Sequence, residues 1–539
     1  MRRSGNQTGR ETDSRRRAEG FPKNTYNLYL VLLIAVFASV HLVVNAFLGM
    51  HFDEANWWLT TKHLEAGYFF HPPFVTYELF VITKVLGESL FALRLGSLLF
   101  TLGSILLVHS LALEFFNDRR KAFLAALVFA VLPATNYWLL LAHQEAPFIF
   151  FWLLTMRLVW RALSRESRGY WYLAGFTAGM TLLCKLQTVL FLPCLLLFLL
   201  FSGEHRHWLK RKEPYLALLV VLIIFTPTLI WYASHNFEPI TYQLLNRTGV
   251  ASRSVGAWIS RILNHWWGSM IVISPFVWLL GLFGMVYGGF LAFKERQRNF
   301  LFLFCFSVPV VAFFGVTGGF PYWPFCGYIS SLIAGMGALP VFVSRRDGGW
   351  LRKSLMPAAI ALLVMVPLIA SSFYCWFSIS ASRAHNGWKE LGVELRGIKE
   401  GMQAPEVYLA GPYHYIVNGA AYYLRDYFNG YTLMFRVYEQ ENFGVDTRYT
   451  PWVPISELVG KDIIFVDEKD NPDGFATPVS YWEEKLPPYF EKVEGPFTLT
   501  LERKGREFRT FYIFKCYGFR GPDDGMDVKG DLRRYVGQS

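Results

Sequence analysis

The chain of 539 residues is 53% hydrophobic and 18% aromatic but only 17% charged, with a formal net charge of +11. A soluble domain carries about 25% charged residues, so the deficit points to lipid. The positive balance does not point to nucleic acid, because the basic residues fall in short loops between apolar runs and no basic groove with interleaved aromatics is visible.

Residues 1–27 form a basic, polar tail, expected on the cytoplasmic side. The apolar run Leu28 to Leu48 is too long for a signal-peptide core and no small-residue cleavage site follows, so it reads as an uncleaved first span. Runs of the length that crosses a bilayer, about 20 residues, then recur at 90–112, 122–140, 147–163, 171–184, 187–201, 215–233, 270–292, 299–317, 324–343 and 355–377. That makes about eleven spans in an α-helical polytopic membrane protein. The loops at 117–121, 161–168, 205–212, 294–298 and 345–353 are rich in Arg and Lys, as cytoplasmic loops are. An odd number of spans places the polar segment 378–539 outside. The pair 171–184 and 187–201 reads either as one long span or as two helices meeting at Lys185. Residues 28–377 are thus expected to form the transmembrane, catalytic part, with long outer loops at 49–89 and 234–270 whose aromatic stretches suit the membrane interface.

Residues 378–539 lack such runs and are expected to form a soluble extracytoplasmic α/β or α+β domain. Val407 to Ala410, Asp462 to Val466 and Phe497 to Leu501 have strand patterns, and Tyr413 to Leu424 has helical spacing. Phe508 to Cys516 can pair with Phe497 to Glu502 across the turn Arg503-Lys504-Gly505-Arg506. The six cysteines are scattered without a CxxC pair and read as small apolar packing residues.

Several polar residues sit where hydrocarbon makes them costly. Asp53 and Glu54 follow the first span, and a carboxylate there can accept a proton from an attacking hydroxyl; a solvated loop start is the alternative. His71, before Pro72 and Pro73 in a rigid segment, can hold a phosphate or a metal, or can be an interfacial histidine in a turn. His143, Gln144 and Glu145 mark the outer mouth between two spans. Asp53 and Glu145 could share a divalent ion, although no cofactor is called for with certainty. Lys185 lies inside some thirty apolar residues and can neutralise a lipid phosphate or snorkel to the interface. Arg94 and Arg247 are further candidates for phosphate oxygens, as are His235, Arg253 and Arg261. Tyr322 and Trp323, in a proline-flanked turn, can stack on a sugar ring or anchor the interface.

Taken together, Asp53-Glu54-Ala55 with Trp57-Trp58, Gly67-Tyr68-Phe69 with His71-Pro72-Pro73, Arg94 to Ser97, Glu145-Ala146-Pro147, Leu183-Cys184-Lys185 and Tyr322-Trp323-Pro324 form a familiar series. In the soluble part Gly387 to Leu391 and Ala420 to Leu424 extend it. The chain resembles the membrane-embedded GT-C glycosyltransferases that use polyprenyl-phosphate sugars. The similarity is to the bacterial branch with the aminoarabinose transferases of lipid A and to protein O-mannosyltransferases, glycosyltransferase family 39 in type. The resemblance implies an outer-facing active site, an inverting transfer and an acidic base at Asp53-Glu54. Two positions depart from the pattern: many relatives carry Asp where this chain has Glu145, and the aminoarabinose enzymes carry Lys where it has His71.

The expectation is therefore a glycosyltransferase of the bacterial inner membrane, moving a sugar from a polyprenyl-phosphate donor to an envelope glycan, lipid or protein. Asp53, Glu54 and Glu145 are the candidate catalytic residues. Lys185, His71, Arg247 and Arg94 are expected at the donor phosphate, and Tyr322 and Trp323 at the sugar or acceptor. The rival reading is a transporter or flippase of a lipid-linked anion, which needs the cations but no base.

Overall fold

The computed structural model describes residues 25–246, 254–345, 356–380, 383–402, 404, 406–425, 432–438, 442–445, 455–469 and 478–521. Among these, seven helices are long and apolar enough to cross a bilayer, Thr25–Phe47, Leu90–Phe116, Glu145–Ser164, Glu213–Ser234, Pro275–Phe293, Arg298–Thr317 and Phe325–Val343. Of the remaining expected spans, 122–140, 171–184 and 187–201 correspond to shorter or broken helices, and 355–377 corresponds to the helix Met356–Ser380. Exposed Val31, Val36 and Val43 on the first helix and Ile223 and Ile230 on Glu213–Ser234 form an apolar outer surface. On a soluble protein such a surface would be unstable; here it is what lipid requires. The chain is a multi-pass membrane protein.

Breaks in the helices follow from local sequence. The stretch expected as one span over 122–140 ends at Val131, because Pro133 has no N–H and a short helix Pro133–Tyr137 restarts there. Asn136 secures the break by donating to the carbonyls of Ala130 and Leu132 at 2.8 and 2.9 Å. The span expected at 270–292 divides at Ser274 into helices Val255–Ile273 and Pro275–Phe293. The first exposes Leu263 and Trp267. Arg168–Cys184 and Phe191–Phe201 meet at Lys185, whose backbone is extended, before a turn of 3-10 helix. Of the two arrangements open at that point, the chain adopts two helices.

Helices Pro275–Phe293 and Phe325–Arg345 approach backbone to backbone. A Cβ on Gly284 would stand 2.3 Å from the Ser331 carbonyl oxygen, and one on Gly335 would stand 2.6 Å from that of Leu280. Small residues at such a crossing allow the dispersion contacts that hold helices together in lipid.

The C-terminal part is a six-stranded mixed sheet, order β3-β2-β1-β4-β6-β5, with β1 Val407–Gly411, β2 Thr432–Tyr438, β3 Asn442–Val445, β4 Asp462–Glu468, β5 Phe490–Arg503 and β6 Arg506–Phe519. β1 runs parallel to β2 and β4; the other pairs are antiparallel. Both faces of β1 and β4 are buried. Leu409 and Ile464 face helices Trp388–Met402 and His414–Tyr423, whereas Ala410 and Phe465 face helix Val479–Lys485. This explains why these strands read as continuous apolar runs. The β5–β6 hairpin turns at Lys504 and Gly505, both at positive φ, as a two-residue turn matched to strand twist requires.

Arg509 on β6 ties the sheet to the segment that follows the last membrane helix. Its fork meets Glu468 at 3.0 and 2.7 Å, a further nitrogen donates to the carbonyls of Arg383 and Asn386, and the guanidinium lies 3.8 Å from the Trp388 ring centroid.

Candidate functional site

The site is built on the loop helix Phe52–Thr60 and on the turn 138–144. His51 caps the helix: its ring accepts from the Asp53 N–H at 3.1 Å, and its own N–H donates to Glu54 at 2.9 Å. The adjacent acids then part company. Glu54 is buried and accepts four hydrogen bonds, from Arg94 Nε at 2.7 Å and Nη2 at 2.6 Å, from the Ala142 N–H at 2.9 Å and from the His51 N–H. Burial alone would raise its pKa, but the Arg94 guanidinium outweighs it and holds the carboxyl down to about 2. Arg94 also donates to the carbonyls of Leu48 and Gly49 at 2.8 and 2.7 Å and is wholly buried. Its guanidinium is occupied by the chain itself, so the expected role at a donor phosphate gives way to holding the Glu54 helix in place.

Asp53, on the next position of the same helix, keeps 33% of its side chain exposed. Its carboxylate lies 3.9 Å from His143 Nε2 and 3.7 Å from His51 Nδ1. Of the pair, Asp53 is the carboxylate that an incoming molecule can reach.

Lys185 and Glu145 form a buried ion pair. The ammonium is 5.6 Å from the ring centroids of Phe148, Tyr322 and Trp323, an aromatic cage that favours a cation. Thr188 fixes the helix break by donating to the carbonyls of Lys185 and Thr181 at 2.7 and 2.9 Å.

Three consecutive residues join these parts. His143 meets Asp53, Gln144 meets His71, and Glu145 meets Lys185. Trp138 packs 6.0 Å from His143 and stacks on Tyr322 at 4.1 Å. Gln144 Oε1 accepts from the Trp57 indole at 3.2 Å. Because an indole only donates, the Gln144 amide nitrogen must donate to His71 Nε2 at 3.0 Å. His71 Nε2 therefore accepts, which leaves the ring proton on Nδ1. Gln144→Leu is expected to strand the buried Trp57 N–H and cost about 1–3 kcal/mol. Thermal unfolding of the two proteins, compared in one detergent, checks this.

The structure thus brings together Asp53, His71, Glu145, Lys185, Tyr322 and Trp323, with Glu54 and Arg94 as their support. Arg247 lies outside the described residues, as does Arg253. Among the described residues no group of three His, Cys, Asp or Glu side chains is placed to hold a metal ion. Glu145, one of the two carboxylates considered for such an ion, is paired with Lys185. Cys184, Cys194, Cys305, Cys326 and Cys516 are free and buried.

Sequence reasoning did not single out His51, Trp138 or His385. His385, from the segment after the last membrane helix, donates from Nδ1 to the Gly49 carbonyl at 3.0 Å and accepts from the Tyr137 hydroxyl at 3.2 Å. The approach is so close that a Cβ on Gly49 would stand 2.1 Å from the His385 carbonyl oxygen. The sheet domain also reaches the Asp53 helix directly. Asn418 donates to Asn56 at 3.0 Å and Tyr415 packs on Phe52 at 5.7 Å. Asn418 amid apolar residues and the His-Asn-Gly-Trp run at 385–388 were the available signals, but neither indicates its distant partner.

Burial is the main force lowering the pKa of His51 and His385 to about 4; the nearby Arg94 adds to it, while Asp53 beside His51 and Glu54 beside both oppose it. Both imidazoles are neutral when folded, whereas in the unfolded chain they take up protons below about 6.5. Their contribution is therefore complete above pH 6.5 and is lost as pH falls toward 4. Stability should fall by up to about 1.4 kcal/mol per pH unit per histidine across this window. The comparison is unfolding at pH 7.5 and pH 5, above the range where Glu54 titrates; replacing His385 with Gln should flatten the slope.

Comparison with known proteins gives this geometry a context. A family model described as dolichyl-phosphate-mannose-protein mannosyltransferase matches residues 70–231, less than half of the chain. A lipid A galacturonosyltransferase of Rhizobium johnstonii is 21% identical over 52% of this chain and 59% of its own length. An undecaprenyl phosphate-alpha-4-amino-4-deoxy-L-arabinose arabinosyl transferase of Pseudomonas fluorescens is 26% identical over 47% of this chain and 46% of its own. The chain thus spans about half the length of the curated relatives it matches. The crystal structure of ArnT from Cupriavidus metallidurans bound to undecaprenyl phosphate superposes with a TM-score of 0.59 at 15% identity, covering 90% of this chain and 98% of that one. The chain has the GT-C fold.

Proposed function

We propose that the chain is an inverting glycosyltransferase that moves a sugar from a polyprenyl-phosphate donor to an acceptor of the cell envelope, a glycan, lipid or protein. The observation that carries this reading is the division of labour at residues 53 and 54. A saturated, buried Glu54–Arg94 pair supports one accessible carboxylate, Asp53, and the turn 143–145 connects Asp53 to a caged lysine. A transporter of an anion has use for the lysine but none for the carboxylate.

In the proposed reaction the acceptor hydroxyl attacks the anomeric carbon and its proton passes to Asp53. The bond from that carbon to the phosphate oxygen breaks, and the electron pair leaves with polyprenyl phosphate. Lys185 neutralises the charge that develops there, an electrostatic effect strengthened by its dry surroundings. Glu145 positions Lys185, His71 offers a neutral hydrogen bond to the phosphate, and Tyr322 and Trp323 supply ring faces for the sugar. Names of relatives that act with undecaprenyl phosphate-linked aminoarabinose or on lipid A support this donor class. The reaction is assigned to the outer face of a bacterial inner membrane, with the sheet domain on the same side.

The test is to incubate purified full-length protein with a polyprenyl-phosphate sugar and an envelope acceptor. A new glycoside and an equal amount of free polyprenyl phosphate are expected. Movement of intact donor across reconstituted vesicles without cleavage would establish transport instead.

A further inference from the structure

Far from the Asp53–Lys185 site, the other end of helix Glu145–Ser164 carries an unbalanced set of cations. Arg157, Arg161 and Arg165 recur every four residues and so share one helix face. Among the described residues the one acidic partner of Arg157 and Arg161 is Glu114. Arg157 Nε at 3.0 Å, Arg161 Nε at 3.1 Å and Arg161 Nη2 at 2.6 Å all converge on the same carboxylate oxygen, Oε1. Arg165 donates to the Tyr170 hydroxyl at 3.3 Å, and the guanidiniums of Arg161 and Arg165 flank that ring at 6.0 and 5.9 Å. Glu166 is turned to His207 at 3.3 Å. Both terminal nitrogens of Arg157 and Nη1 of Arg161 meet no acceptor among the described residues. Two of the three cations thus share one anion, the third meets only a neutral hydroxyl among the described residues, and the forks of the first two are incompletely filled.

Their depth matters. At 1.5 Å per residue, Arg157 and Arg161 lie about 18 and 24 Å along the helix from Glu145, against a hydrocarbon thickness of about 30 Å. Both side chains are about one-quarter exposed, 25% and 24%. The flanking helices Leu90–Phe116 and Arg168–Cys184 pack against this one and expose Leu106, Leu173 and Phe176. A ligand here needs phosphate oxygens for the guanidinium forks and an acyl chain for the apolar flanks.

We propose that Arg157, Arg161 and Arg165 bind the phosphodiester of an anionic phospholipid at the end of the bundle opposite the reaction site. The excess of two positive charges over Glu114 selects an anionic headgroup over a zwitterionic one. The contact braces the three helices that position Glu145 and Lys185 and is independent of the proposed transfer reaction.

The experiment measures thermal unfolding of the purified full chain in detergent with added phosphatidylglycerol, phosphatidylcholine of the same acyl chains, or inorganic phosphate. Phosphatidylglycerol is expected to raise the midpoint by a few degrees beyond phosphatidylcholine, and inorganic phosphate is expected to leave it unchanged. The R157Q/R161Q protein should lose the difference between the two lipids. E114Q, which removes the competing acceptor, should keep or enlarge it. An equal response to both lipids, the same effect from inorganic phosphate, an undiminished difference in R157Q/R161Q, or its loss in E114Q would each overturn the proposal.

Discussion

Asp53→Asn is expected to reduce sugar transfer by about 10²–10⁴-fold, the usual contribution of a general base, while leaving the fold and donor binding intact. The amide has the same shape, and the backbone N–H that caps the helix at His51 is untouched. The Glu54–Arg94 pair that anchors the helix is also undisturbed. What the amide cannot do is take the acceptor proton. The loss should therefore fall on kcat, with polyprenyl-phosphate binding to the purified protein unchanged. Full retained turnover would remove Asp53 from the base role, and a loss of donor binding instead would assign it to the substrate.

Arg94→Met should act on stability. Methionine roughly fills the space of the arginine stem but leaves Glu54 buried without its cation, and removing one partner of a buried pair costs about 3–5 kcal/mol. Without the guanidinium, burial pushes the Glu54 pKa upward instead of down, so the variant's remaining stability should fall as pH rises through that raised value, the opposite of Glu54's contribution in the wild type. Adding Glu54→Leu should recover much of the loss, because an apolar pair of similar volume carries no stranded charge. Unfolding midpoints of the single and double variants test this. A double variant less stable than Arg94→Met would show that the two side chains act separately.

Much of the fold was legible because the membrane imposes a length scale. The first helix, Glu213–Ser234 and Phe325–Arg345 each stand close to where apolar runs were read. The breaks were harder. Pro133 and Ser274–Pro275 interrupt runs whose composition alone is continuous, and whether such a point kinks or ends a helix depends on partners elsewhere, such as Asn136 beside Pro133. In the sheet domain β1, β4 and the β5–β6 hairpin were visible from buried runs and turn chemistry. β2 and β3 were not singled out, because short paired strands owe their state to neighbours more than to their own residues. At the site, polar residues in apolar surroundings drew attention to Asp53, Glu54, Arg94, Glu145 and Lys185. Their roles did not follow from that signal. Arg94 and Lys185 look alike as cations near hydrocarbon, and only the four bonds converging on Glu54 separate an internal clamp from a cation caged by aromatic rings.

The contact between Asn418 and Asn56 joins residues 362 positions apart. During synthesis the carboxylate at position 53 emerges long before the wall that its helix leans on. A nascent chain therefore carries the acid without its complete mounting until the last third has been made and has folded against it.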